Sequence, residues 1–271
     1  MSAARQPVFF ISHGGGPWPW VDGMRQQFAK TERELIQLPK RLPTKPKAVV
    51  VVTGHWEAPE FTVATAAKPP MDYDYTGFPA HTYKLQYPAP GSAAVSARVD
   101  QLLTEAGFKT AHDDQQGFDH GTFVPMALMY PDADVPVVLL SMKSRYDAAE
   151  HIKVGQALQP LRDEGVLIMG SGLTYHNMRG FGRPESTKPA TDFEAYLNTA
   201  ITQPSEEKRN DMLVHWEQAP AARQVHPRED HLIPLMVVAG AAGEDVGERL
   251  FVDLALHIPM TSYRFGEVKP V

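Results

Sequence analysis

The sequence predicts an α/β fold: one domain on a central mixed, largely parallel sheet flanked by helices. Three observations carry this. Short β-branched or apolar runs bounded by Gly or Pro, such as the four valines at 49–52, read as buried strands. Segments with apolar residues at mixed three- and four-residue spacings alternate with them, and strand–helix alternation marks an α/β layer. The chain has 271 residues, 43% hydrophobic and 21% charged, which suits one sizeable core.

Taken in order, strands are predicted near residues 7–12, 48–55, 61–66, 136–142 and 166–173. Two more, near 248–256 and 261–265 and separated by the break at Pro259 and Met260, are expected to form an antiparallel edge. Helices are predicted over 24–38, where Met24, Phe28, Leu35 and Leu38 recur, and over 93–106, with Val95, Val99, Leu102 and Leu103. Others are expected over 123–130 and over 148–161, with Ile152, Val154, Leu158 and Leu161. Thr191 with Glu194 makes a capping-box pattern before Tyr196 and Leu197, and Ser205 stands ready to cap a charged helix over 206–217. The Pro-rich stretches 39–46, 67–90 and 184–189 read as surface loops. The second is long and aperiodic, as functional walls and lids often are.

Composition excludes several classes. The net charge is −6 and no long basic block appears, so no nucleic-acid footprint is expected. The absence of cysteine excludes disulfides, thiolate zinc sites, iron–sulfur clusters and cysteine nucleophiles. Residues 1–7 do not resemble a signal peptide, and no apolar run approaches the ~18–20 residues that span a bilayer. A cytoplasmic protein without membrane attachment is therefore expected.

The histidines point to chemistry. His13 ends the first strand and opens Gly14-Gly15-Gly16-Pro17; His55 ends the four-valine strand; His176 follows the 166–173 strand; His231 opens the apolar segment 232–239. Ligands in open α/β sheets bind beyond the carboxyl ends of the strands, and imidazole is the commonest metal ligand among side chains. A metal site built from dispersed histidines is the leading expectation. Glu57 shares a face with His55 on a continued strand and is a candidate to join the set. Asp119 either caps the helix after it or orients His120, the second reading making His120 an acid/base histidine. His176, in a turn, is a better acid/base candidate than Ser171, whose surroundings do not match G-x-S-x-G. His226 and His231 stand five apart with Pro227 between them, a spacing that does not share a helix face. Of the two, His231 is expected to be the ligand, and His226 to make a hydrogen bond at the helix entry. His81, His112, His151, His215 and His257 have no such setting, and His151 and His215, in charged helical stretches, are expected to be solvated.

Together the segments resemble the class III extradiol ring-cleaving dioxygenases, in their DOPA 4,5-dioxygenase-like branch with the LigB-type catalytic fold. The matching pieces are His13-Gly-Gly-Gly-Pro17, Val52-Thr-Gly-His-Trp56, Tyr75-Thr-Gly-Phe-Pro79, Gln86-Tyr-Pro-Ala-Pro-Gly91, Gly117-Phe-Asp-His-Gly-Thr122, Met129-Tyr-Pro-Asp-Ala-Asp134, His176-Asn-Met-Arg179 with Gly170 and Gly172, and Asp230-His-Leu-Ile-Pro-Leu235. They span nearly the whole chain in the family's order.

The resemblance implies a single α/β domain with a metal pocket at one edge of the sheet. It implies His13, His55 and His231 as ligands of a non-haem iron(II), His176 as the base that takes a proton from a bound catechol, and His120 as a neighbouring histidine that steers oxygen and proton delivery. The implied partners are a small catecholic substrate and O2, cleaved together to a ring-opened semialdehyde. Many ring-cleaving sites use two histidines and a carboxylate. Here the third position is His231, with Glu57, Glu229 or Asp230 left as possible contributors. Three imidazoles also suit Zn(II), which keeps a zinc-dependent hydrolase open, and a non-enzymatic metal-binding protein on the same scaffold. Trp18, Tyr75 and Phe78, with Trp20 and Trp56, are candidates for an aromatic substrate wall, and Arg179 or Lys84 for a substrate carboxylate. A monomer or small homo-oligomer is expected.

Overall fold

The computed structural model describes residues 4–270; Met1 to Ala3 of the N-terminal segment, and Val271, lie outside them. In chain order the strands are β1 (Val8–Ser12), β2 (Ala48–Thr53), β3 (Glu57–Ala58), β4 (Phe61–Ala64), β5 (Thr110–Asp113), β6 (Val137–Leu139), β7 (Met142–Lys143), β8 (Val166–Gly172), β9 (Gly247–Ala255) and β10 (Ile258–Phe265). The helices are α1 (Met24–Gln27), α2 (Ala29–Arg41), α3 (Ala93–Glu105), α4 (His120–Met129), α5 (Ala148–Leu158), α6 (Pro160–Asp163), α7 (Thr187–Ile201), α8 (Glu206–Val214), α9 (Ala222–Val225) and α10 (Ile233–Ala242).

The chain forms a single α/β domain on a six-stranded sheet in the order β6-β2-β8-β1-β10-β9. The first four strands run parallel, and β10 and β9 are antiparallel to their neighbours, as expected of the C-terminal pair, but the turn falls at Leu256 and His257, and Pro259 and Met260 lie within β10. The reason lies in composition. Every residue of β1, β2, β6 and β8 is buried, so helices cover both faces and the strands read as unbroken apolar runs. β9 leaves Glu248, Arg249 and Leu254 exposed, and its charged residues suit an edge. No helix among the described residues is long and apolar enough to cross a membrane.

Several local expectations change. The 61–66 strand stays out of the main sheet: β4 pairs in parallel with β5, whose polar Thr-Ala-His-Asp sequence carries no apolar signal. The 136–142 run splits into β6 and β7, and β7 pairs with β3. The 24–38 helix breaks at Phe28 into α1 and α2. Thr191 lies inside α7, its hydroxyl donating to the Thr187 carbonyl at 2.8 Å, so it caps nothing. Glu194 is instead buried and accepts from Arg249 at 2.7 Å and Thr261 at 3.1 Å. Ser205 does cap α8, accepting from the Lys208 N–H at 3.3 Å. His151 is not solvated: it is fully buried, with Nδ1 2.6 Å from the Asp147 carbonyl and Nε2 accepting from the Lys143 N–H at 3.1 Å.

Helix α10 is buried along its whole length, packed between β8 and α5. Gly155 of α5 and Gly240 of α10 allow that approach: a Cβ on Gly240 would lie 1.9 Å from the Ile152 carbonyl oxygen. The helix thereby brings the segment before it, with His231, against the carboxyl ends of the central strands.

Candidate metal centre

Strand β8 lies between β1 and β2, and its carboxyl end organises the site. The His13 N–H donates to the Gly172 carbonyl at 3.2 Å, and the Gly54 N–H to the Ser171 carbonyl at 2.9 Å. These ladders deliver His13 and His55 from either side of β8. His231 is tied to the same strand end, its carbonyl accepting from the Leu173 N–H at 3.0 Å. Only glycine fits at 172, where a Cβ would sit 2.1 Å from that carbonyl oxygen.

His55 Nε2 approaches Nε2 of both other rings, and His120 also brings a ring nitrogen within 4.8 Å of ring nitrogens of His13 and His55. His55 Nε2 lies 3.2 Å from His13 Nε2 and 3.2 Å from His231 Nε2. Nitrogen ligands bound to one ion at about 2.0–2.1 Å are themselves separated by roughly 3.0–3.4 Å, depending on coordination angle.

The far side of each ring explains which nitrogen carries the proton. Ser171 Oγ donates to the Gly121 carbonyl, so its 2.9 Å contact with His13 Nδ1 uses Nδ1–H as donor. His55 Nδ1 lies 3.2 Å from Asp74 Oδ2, and His231 Nδ1 lies 3.1 Å from Asp230 Oδ2, ionic contacts that favour a proton on Nδ1 without the alignment of a hydrogen bond. A proton on each Nδ1 leaves three Nε2 lone pairs facing inward, an arrangement that repels itself unless a cation lies between them. That donor set, with its oriented outer partners, fits a divalent metal ion.

Electrostatics agree. Burial, then the neighbouring imidazoles, hold His13 and His55 well below the ordinary histidine range. His231 is pushed down to about 4, chiefly by burial. Neutral imidazole is the form that binds metal. Burial works against the Asp230 charge, but its contacts with His176 and His231 outweigh it and hold the carboxyl well below its usual range.

His120 opens α4, and its ring centroid lies 4.1 Å from that of His55. Asp119 caps that helix, accepting from the Thr122 N–H at 3.0 Å and from Thr53 at 2.9 Å, and burial pushes its carboxyl up to about 7. Asp119 does not orient His120. Asp74 does, contacting His120 Nδ1 at 2.8 Å and accepting from its backbone N–H at 3.0 Å. His176 stacks on His231 with centroids 3.5 Å apart, and its Nδ1 lies 3.5 Å from Asp230.

A cavity of about 350 Å³ opens onto His13, His55, His120, His176 and His231. Tyr75 and Phe78 line it, as expected of an aromatic wall. Trp18 does not: it is fully buried and donates its indole N–H to the His13 carbonyl at 2.8 Å, so it braces a histidine. Trp20 and Trp56 do not line the cavity either. Glu57 is paired with Arg228 at 2.6 Å and Glu229 with Arg223 at 2.5 Å, which leaves Asp230 as the one of those three carboxylates that contacts the histidines. His226 makes no helix-entry bond: it is buried against Phe193 and Trp216, and neither ring nitrogen has a hydrogen-bond partner of good geometry. Sequence reasoning missed Asp74 and treated Ser171 only as a nucleophile. The signal for Asp74 was its place beside Tyr75 in a loop already read as a wall.

The family described as the catalytic LigB subunit of aromatic ring-opening dioxygenase matches residues 7–266. The chain is 41% identical over 249 residues to a 4,5-DOPA dioxygenase extradiol of Beta vulgaris, covering 88% of this chain and 87% of that one. It is 34% identical to the protein of the same name from Escherichia coli K12, covering 89% and 87%. The crystal structure of an uncharacterized Escherichia coli K12 protein superposes with a TM-score of 0.77 at 29% identity, covering 97% of this chain and all of that one.

Proposed function

The chain belongs to the family of the catalytic LigB subunit of aromatic ring-opening dioxygenases, with a function of the extradiol type, and on that footing we propose that it cleaves a catecholic ring with O2 at a non-haem iron(II) held by His13, His55 and His231, with His120 close enough to His13 and His55 to share an ion with them. The observation that carries this is the three converging Nε2 atoms, each ring fixed from behind by Ser171, Asp74 or Asp230. The catechol comes from the relatives' names, and the choice of iron from the oxygen chemistry those names imply.

Bound iron(II) supplies a redox-active centre with open positions for a diol and for oxygen. The chain does the rest. His176 borders the cavity on the face of His231 and takes the remaining catechol proton on the nitrogen turned away from Asp230. Asp74 fixes the Nδ1–H of His120, leaving its Nε2 to hold or pass a proton beside the ligand set. Tyr75 does not compete as a base: burial pushes its phenol up to about 12, and the hydroxyl donates to the Thr82 carbonyl at 2.7 Å. Tyr75 and Phe78 hold the ring and exclude water.

Three neutral imidazoles also fit zinc, which serves hydrolysis and does no oxygen chemistry. Labelled oxygen separates the two readings. With iron(II) and a catechol, both atoms of ¹⁸O2 enter a yellow ring-opened product. Hydrolytic turnover with zinc, and no label incorporated with iron, would replace the dioxygenase with the hydrolase.

A further inference from the structure

We infer that this site takes a catechol whose ring substituent is apolar and uncharged, seated against Met178, Phe181, Leu256 and Met260. The inference rests on the extradiol reading above and names its substrate class.

The cavity is larger than a bare dihydroxybenzene ring needs, and beyond the histidines and Tyr75 its walls are carbon, sulfur and glycine backbone. Among the described residues, no lysine or arginine lines it. The nearest fixed charges are the carboxylates of Asp74 and Asp230, standing directly behind the histidines. With the metal taken by the diol, a carboxylate on the ring's substituent would find no lysine or arginine at that end of the cavity to pair with, and an unpaired charge brought out of water is costly. Two arginines lie in the adjoining groove, which shares His176 and Met178 with the cavity. Arg228 is committed there to Glu57 at 2.6 Å and lies over the Tyr146 ring. Arg179 is exposed and lines that groove, not the cavity.

The mouth gives a second, independent observation. Met178 is 71% exposed and Leu256 39% exposed, although both line the cavity. Leu256 is one of the two central residues of the β9–β10 hairpin turn, with φ 51° as that turn requires. Large apolar side chains kept at a cavity mouth and left wet gain most from an apolar group that covers them.

The test compares three probes on the full-length, iron(II)-loaded protein without oxygen, by calorimetry: 4-methylcatechol, 4-propylcatechol and 3-(3,4-dihydroxyphenyl)propanoate, the last matching propyl in length but ending in a carboxylate. The expected result is 4-propylcatechol binding about tenfold more tightly than the propanoate, with a gain of about fourfold per methylene over 4-methylcatechol. Equal or tighter binding of the propanoate would overturn the inference and leave the dioxygenase reading standing. If no probe bound, both would fall. Met178→Arg, at an exposed position, is expected to cut the propyl-to-propanoate preference by about fivefold or more; an unchanged ratio would remove Met178 from the substrate's path and overturn the assignment.

Discussion

Asp74 does more for this site than any residue outside the ligand set. One carboxylate faces Nδ1 of both His55 and His120, at 3.2 and 2.8 Å. Asp74→Asn offers His55 an amide in place of an anion and is expected to lower metal affinity by about 10–100-fold, measured by competition with a coloured chelator. Ligand and neighbour separate by mutation: His231→Ala abolishes metal retention, whereas His120→Ala and His176→Ala keep the metal and lose most turnover. A protein that lost its metal with His120→Ala would place His120 in the ligand set. His226 makes a different prediction. Burial pushes it down to about 3, against an ordinary 6.5. The unfolded chain therefore binds a proton that the folded chain refuses, and stability falls as pH drops through that window. His226→Phe removes a buried polar ring whose nitrogens lack a well-aligned hydrogen bond, so it is expected to raise stability by about 1 kcal/mol at neutral pH and to flatten the acid slope, read from melts at pH 7 and pH 5.

At the scale of elements, the site depends on how closely α10 approaches its neighbours. Gly240→Ala drives a methyl into the Ile152 carbonyl. It is expected to cost about 2–3 kcal/mol, a fall in Tm of roughly 4–12 °C, with weaker metal binding because His231 precedes that helix. An unchanged melt would show that the α5–α10 contact has slack. This is also where sequence reading succeeds and fails for physical reasons. β1, β2 and β8 were legible because strands buried on both faces must be apolar throughout, and the histidines stood out because each followed such a run. β5 was invisible because its exposed Thr-Ala-His-Asp pairs only at a small sheet's edge. Asp74 was missed because its contact with His120 joins a long loop to a helix start 46 positions away, so its neighbour Tyr75 marked the loop but not the carboxylate's role. Trp18 looked like a wall residue because an aromatic after a glycine turn fits a cavity lining and a core equally well; only burial and its bond to His13 decide.

At the scale of the whole molecule, the chain folds around a cluster that is unfavourable without its ion. Three inward lone pairs, with the carboxylates of Asp74 and Asp230 behind two of the rings, are relieved together when a divalent cation enters. Metal binding is therefore coupled to global stability: at a free metal concentration about 1,000 times Kd the protein gains about 4 kcal/mol, and chelation lowers Tm by a matching amount. The most direct measurement is oxygen uptake after anaerobic reconstitution of metal-free protein, one sample with iron(II) and one with zinc, each then given a small catechol. One iron bound per chain, rapid oxygen consumption and a yellow product are expected with iron, and no oxygen consumption with zinc. Stoichiometric iron without oxygen uptake for any catechol would contradict the dioxygenase reading.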